Sequence, residues 1–255
     1  MKKTIFGIAL LAGALTLSGC DLDETTYGQT TSKNYYKTQS EILSALTGAY
    51  LQLRTTWNEY ALNFYFVGDC STDDALKGGG SDGDRAEVME LSNFTTNSTN
   101  GEVGRRWEIL YRLINRCNEV IKYAPNAQGD ATTLARYANE AKALRAFGYY
   151  ELVTTFGGVP LLTEPMAPSQ VLATPRASAD EVWTQIISDC TDAEALPAKG
   201  QYSADEQYHV TRGFAKAMLA KTYMFRQDYA NAEKVLHEII EVDHDYALLP
   251  DYGLN

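Results

Sequence analysis

The sequence predicts an all-α fold of tetratricopeptide-like helical hairpins interrupted by long irregular insertions. Three observations carry this reading. Apolar residues recur at steps of three and four along several stretches. Capping boxes stand at Thr38-Gln39-Ser40-Glu41 and Ser178-Ala179-Asp180-Glu181. No stretch alternates apolar and polar residues as a half-buried strand would.

The chain opens on an address. Met1-Lys2-Lys3 is a basic start, and Ile5 to Leu17 is an uninterrupted run without charge. As a helix that run is about 20 Å long, short of the roughly 30 Å of a bilayer's hydrocarbon core. Leu17-Ser18-Gly19-Cys20 follows at once and looks like a bacterial lipobox. Residues 1–19 are therefore expected to be a lipoprotein signal peptide, with diacylglyceryl and N-acyl chains (palmitate among them) on Cys20. Cleavage there removes Lys2 and Lys3 and takes the formal charge from −11 to −13. Residues 20–37, with Asp21, Asp23 and Glu24 at their head, read as an acidic, polar tether, and 38–255 as one helical domain.

The domain's first helix follows the Thr38 box, with Ile42, Leu46, Ala49, Tyr50 and Leu53 at helical spacing. The pattern breaks after Trp57, and 68–102, rich in Gly, Asp, Ser, Asn and Thr, reads as a long loop. Val103, Trp107, Leu110, Ile114, Cys117, Ile121 and Ala124 then form a continuous stripe that Pro125 ends. The next helix, about 131–156, carries Ala135, Ala138, Ala141, Ala143 and Ala146, small enough to let a partner helix approach. Gly157-Gly158 and Pro160 stop it, and 157–177, with four of the seven prolines, reads as an extended crossing. The Ser178 box opens a helix bearing Val182, Trp183, Ile186, Ile187, Cys190 and Ala193. Helices about 211–227 and 229–242 close the chain, about six main helices in all. This last pair resembles a tetratricopeptide repeat in Leu219-Ala220-x-x-Tyr223 and Tyr229-x-x-Ala232-x-x-x-Leu236. Ala220 and Ala232 fall where the helices cross, with Tyr223 and Leu236 filling the gap. The chain ends at Tyr252-Gly253-Leu254-Asn255 without a capping helix, as expected of a piece lacking its C-terminal half.

Charge and motifs narrow the function. A net charge of −11 argues against a nucleic-acid footprint and against electrostatic adhesion to anionic lipid. Beyond Cys20, Cys70, Cys117 and Cys190 are odd in number and match no metal spacing; the last two lie on apolar helix faces and read as buried thiols. Gly78 to Gly83 matches G-x-G-x-x-G as a string, but no strand precedes it and neighbouring aspartates would repel phosphate. The same acidic cluster lacks EF-hand spacing. His237-Glu238-Ile239-Ile240-Glu241 falls one histidine short of H-E-x-x-H, on a face expected to be wet. There is no G-x-S-x-G, and no carboxylate pair stands out for glycoside hydrolysis. No catalytic residue, metal or cofactor is assigned. Trp107 and Trp183 lie on core stripes; Trp57 sits at the pattern break and is open to either role.

Four features together resemble the SusD/RagB family of nutrient-binding outer-membrane lipoproteins. They are the lipobox with its acidic tether; Trp107-x-x-x-Tyr111-x-x-Ile114 running to Asn118; Glu140-Ala141-Lys142-Ala143-Leu144-Arg145-Ala146-Phe147-Gly148-Tyr149-Tyr150 running into Phe156-Gly157-Gly158-Val159-Pro160-Leu161; and the terminal repeat followed by Tyr246-x-Leu248. The resemblance implies a surface-exposed, lipid-anchored binding protein of the outer membrane. Such a protein is not an enzyme, and it works with a TonB-dependent β-barrel transporter to take up oligosaccharide or, in some members, peptide. It implies ligand contacts in 57–101, where Trp57, Tyr65, Asp73, Asp74, Phe94 and Asn97 supply flat rings, carboxylates and amides. Phe94-Thr95-Thr96-Asn97 has the family's spacing of a platform aromatic and an amide three residues on. Two other readings stay open: a helical-repeat lipoprotein scaffold of the outer membrane, and an all-α surface hydrolase.

Overall fold

A computed structural model describes residues 35–54, 60–81 and 83–251. The leader, Cys20, most of the tether and Trp57 lie outside the described residues. Among the described residues there are helices and no strands: α1 (Gln39–Tyr50), α2 (Tyr60–Gly68), α3 (Ala86–Ser92), α4 (Gly101–Tyr123), α5 (Ala131–Phe156), α6 (Pro168–Ala173), α7 (Ala179–Ala193), α8 (Arg212–Phe225) and α9 (Tyr229–His237). A π-helical turn, Glu238–Asp243, continues α9.

The six expected helices are present. Both capping boxes form: Glu41 N–H donates to the Thr38 hydroxyl and Glu181 N–H to that of Ser178, while each glutamate accepts from its cap residue's backbone. Two expectations need correction. The segment 68–102 is not one long loop, because α3 lies within it, and α2 forms just before it, where the helical pattern breaks. α2 is apolar nearly all round (Tyr60, Ala61, Leu62, Phe64, Tyr65, Phe66, Val67) and so shows no stripe, and α3 spans under two turns. The 157–177 crossing likewise contains α6, with Pro168 at its first turn.

α5 is the hub. It packs against α4 and α7, α1 lies against both α4 and α5, α7 packs on α8, and α8 on α9. A helix with neighbours on several sides must be buried nearly all round. Leu134, Ala138, Ala141, Ala143, Leu144, Ala146, Tyr149 and Leu152 of α5 all are, while Ala135, expected among the contact alanines, is exposed. At Gly148 a Cβ would stand 3.1 Å from the Ile114 side chain, so the glycine sets how closely α4 approaches. One core joins α4, α5, α7, α8 and α9 through Leu110, Ile114, Tyr149, Leu152, Ile186 and Leu219; a second joins α1, α4 and α5 through Ile42, Leu46, Leu113, Cys117 and Leu144. Cys70, Cys117 and Cys190 are buried free thiols.

The crossing is fastened to the hub by polar side chains. Tyr111 Oη donates to Pro160 O (2.7 Å), and Asn118 Nδ2 to Leu162 O (2.9 Å). Arg145 donates to Thr163 O (2.9 Å) and to Asn118 Oδ1 (2.8 Å), and grips Asp189 of α7 with two bonds of 2.8 and 2.7 Å. Tyr149 Oη accepts from Leu162 N–H (2.6 Å). Gly157 has φ +69°, and a Cβ on Gly158 would lie 2.2 Å from Ala177 O, so both glycines are needed where the strand of chain doubles past its own return.

At the terminal pair, Ala220 and Ala232 are buried at the packing of α8 on α9, as expected. Leu236 is not: it is 39% exposed, as Ile240 is 61% exposed, and Val235 takes the inward place instead. His237, Glu241 and His244 lie on the wet side.

Candidate ligand-binding site

The turn between α3 and α4 carries the expected aromatic–amide pair. α3 ends at Ser92, and Phe94 follows with φ +55°, a left-handed conformation in which its N–H reaches back to Leu91 O at 3.1 Å. That conformation swings the ring outward: Phe94 is 73% exposed. An exposed phenyl ring on a tight turn is a flat apolar face open to a ligand. Asn97 is exposed as well. Its Oδ1 accepts from Thr99 N–H (2.9 Å) and Thr99 Oγ1 (2.6 Å), which leaves its Nδ2 as the outward donor.

The turn stands on a buried polar mount. Asn100 caps α4, its Oδ1 accepting from Glu102 and Val103 N–H, while its Nδ2 donates to Glu87 O (2.9 Å) and Glu90 Oε2 (2.8 Å) of α3. One asparagine thus ties the last helix before the turn to the first after it. Glu102, also buried, accepts from Asn63 Nδ2 of α2 at 3.1 Å and pairs with Arg85 and Arg105 at 3.4 and 3.6 Å. A Cβ on Gly101 would meet Glu87 Oε1 at 2.7 Å, so this junction has no room for a side chain. Three helices therefore hold the turn in one position.

The other expected residues do not converge on it. Tyr65 lines a separate pocket of about 300 Å³ with Phe66, Cys70, Leu76 and Arg85, where Arg85 also sits 4.9 Å over the Phe66 ring. Asp73 and Asp74 are exposed on the loop after α2 and line neither this pocket nor the Phe94 turn. Among the described residues no three His, Cys, Asp or Glu side chains come together as a metal would require.

A further groove was not legible as a site in the sequence. Trp107 belongs only partly to the core: it packs on Phe156 and Tyr111 with centroids 5.2 and 4.9 Å away, and its remaining face lines a groove of about 600 Å³. Tyr111, Asn115 and Glu119 of α4 extend the floor, and Leu162 and Val171 of the crossing form the wall. Burial raises the Tyr111 hydroxyl well above its ordinary pKa, so it serves as a neutral donor to Pro160. The signal was present as Trp107, Tyr111 and Asn115 at steps of four, but a core stripe and a groove floor share that spacing.

Comparison with known proteins bears on this geometry. The model of a family described as starch-binding and associating with the outer membrane, SusD-like, matches residues 22–224. SusD-like protein P2 of Formosa agariphila is 30% identical over 259 aligned positions, covering 99% of this chain and 49% of that protein. Among solved structures, a laminarin-binding SusD-like protein superposes with a TM-score of 0.75 at 32% identity, over 84% of this chain and 47% of its own. Surface glycan-binding protein A from Bacteroides thetaiotaomicron, in complex with laminarihexaose, superposes with a TM-score of 0.71 at 26% identity, over 85% and 45%. The chain spans about half the length of these relatives.

Proposed function

Since this chain belongs to the SusD-like family, we propose that it is a glycan-binding lipoprotein of the cell surface, handing oligosaccharide to a TonB-dependent outer-membrane transporter. In this reading it binds and does not hydrolyse. Cys20 carries the lipid, residues 20–37 are the tether, and the helical domain displays the ligand surface.

The observation that carries the reading is the Phe94 ring, presented outward on a turn that Asn100 and Glu102 hold from behind. A sugar ring stacks its C–H face on such a platform, and an amide donor three residues on meets a hydroxyl. The relatives whose printed names give a ligand bind laminarin or laminarihexaose, which makes a β-glucan oligosaccharide the first probe. Tyr65, Asp73 and Asp74 are secondary candidates, and Trp57, outside the described residues, stays with them.

The test is calorimetric titration of laminarihexaose into wild type, Phe94→Ala and Asn97→Ala. Stacking on one aromatic contributes on the order of 1 kcal/mol, so Phe94→Ala should weaken binding about five-fold. Unchanged affinity in both variants removes this turn from the site. Release of reducing ends from the hexaose by the wild-type chain would overturn the non-catalytic reading.

A further inference from the structure

A second cavity adjoins the Trp107 groove, and its chemistry is different. It encloses about 250 Å³ where α1 meets α4, and is lined by Gly48, Gln52, Arg54, Ile109, Arg112 and Arg116. Three arginines border one small pocket on a chain whose formal charge is −11, and among the described residues no Asp or Glu lines it. Arg112 and Arg116 lie one helical turn apart on α4, a like-charge spacing that opposes helix formation. Helix propensity therefore does not account for the pair. Two acids stand near them in the adjoining groove: Glu108 pairs with Arg112 at 3.9 Å with both side chains largely exposed, and Glu119 accepts from Asn115 at 3.5 Å. Among the described residues Arg116 has no acidic partner within 4 Å.

Gly48 is the independent observation. It sits inside α1 in ordinary helical conformation, where glycine is disfavoured and the backbone does not require it. A Cβ there would come within 2.9 Å of Arg116 Nη1. The glycine thus leaves room for the guanidinium of Arg116, an exposed residue, to lie against α1 at the pocket.

Arg112 and Arg116 also border the larger groove, so the two cavities share a rim. On one side of that rim are the Trp107 and Tyr111 rings; on the other is a basic pocket sized for one small anion. We propose that this pair of cavities is a second glycan subsite, in which Trp107 and Tyr111 face a sugar ring. The pocket at Arg112 and Arg116 takes an oxyanion carried on that sugar, a sulfate ester or a carboxylate. Guanidinium groups match the geometry of both oxyanions and bind them through charge-assisted hydrogen bonds. A densely charged polyanion is a poor fit, because the rest of the molecule repels it. The proposal rests on the glycan-binding reading for its sugar and on the pocket alone for its anion.

The experiment compares laminarihexaose, the same hexaose carrying one sulfate ester, and inorganic sulfate, each titrated at low salt into wild type, Arg116→Gln and Gly48→Ala. Gly48→Ala is the informative variant. It improves the helix while displacing only the flexible end of Arg116, so its melting temperature should not fall. The expected result is about ten-fold tighter binding of the sulfated hexaose by wild type. That preference should disappear in both variants and shrink in 0.5 M NaCl. Equal affinity for the two hexaoses in wild type, or a preference that survives both substitutions, overturns the proposal. If neither hexaose binds wild type, the glycan reading has failed and the sulfate titration decides the pocket. Saturable sulfate binding lost in Arg116→Gln upholds an oxyanion site, and none removes it. A variant effect seen only on capture of an acidic protein, with no sulfate or sulfated hexaose bound, also overturns it.

Discussion

Arg145 shows what a single residue does in this fold. It is buried, and its guanidinium satisfies three elements at once: Asp189 on α7, Asn118 on α4 and Thr163 in the crossing. Burial pushes the Asp189 carboxyl up from its ordinary value, and the two-pronged bond from Arg145 opposes that rise. Removing one partner leaves the other charge buried and unpaired, a change that costs about 3–5 kcal/mol. Arg145→Met should therefore destabilise the chain by that amount in urea denaturation, and replacing Lys142, whose bond to Asp192 is far more exposed, should cost under about 1 kcal/mol. If the two variants melt together, Arg145 is not the fastening described. Arg106 with Glu151 and Thr155, and Glu140 with Tyr50, His209 and Arg136, are built alike. The residues that carry the family likeness in α4 and α5 thus do structural work: Tyr111, Asn118, Arg145 and Tyr149 hold the crossing.

At the scale of elements, packing and caps each make a prediction. Ala232 is 1% exposed where α9 meets α8, so Ala232→Leu overpacks that contact and should cost about 1–3 kcal/mol. An unchanged urea midpoint would refute the packing. The helix starts respond to acid. Glu41 is held below its ordinary 4.5 by the backbone N–H of Lys37 and then by Thr38; Asp130 is held below 3.8 by the backbone N–H of Thr133; and Glu181 is held below 4.5 by the Ser178 side chain. A carboxyl lowered on folding adds stability that is complete above its unfolded value and is lost as pH falls through the folded one. The first turns of α1, α5 and α7 should therefore lose hydrogen-exchange protection below about pH 4 while the middle of α5 keeps it. Uniform loss along α5 would contradict this.

For the whole molecule the prediction concerns place. Cys20 lies outside the described residues, and the lipobox before it motivates acylation and outward display. Two or more acyl chains hold a protein stably on a bilayer, each buried methylene contributing about 0.8 kcal/mol. Protease treatment of intact cells should release the helical domain, and Cys20→Ala should shift the protein to the soluble fraction. Full protection in intact cells would sink the claim of surface display. No helix among the described residues is long and apolar enough to cross a membrane.

The sequence by itself determined the six main helices, the caps at Thr38 and Ser178, the buried thiols of Cys117 and Cys190, and the small residues Ala220 and Ala232 at a helix crossing. Each of these follows from periodicity or from side-chain chemistry within a few residues. The family resemblance marked Phe94 and Asn97, through the spacing they share with it. Only the tertiary structure decided that Phe94 points outward, because a left-handed turn and a mount built from Asn63, Asn100 and Glu102 across three helices set its direction. Only the structure separated Tyr65, Asp73 and Asp74 from that turn, found helices α2 and α3 where no stripe announced them, and opened the groove beside Trp107. The basic pocket is of the same kind. Gly48 and Arg116 are 68 positions apart, and nothing in the sequence links them until α1 is laid against α4. Local pattern fixes helices because a helix is a local structure; a binding surface is made of residues brought together from distant positions, and only their packing defines it.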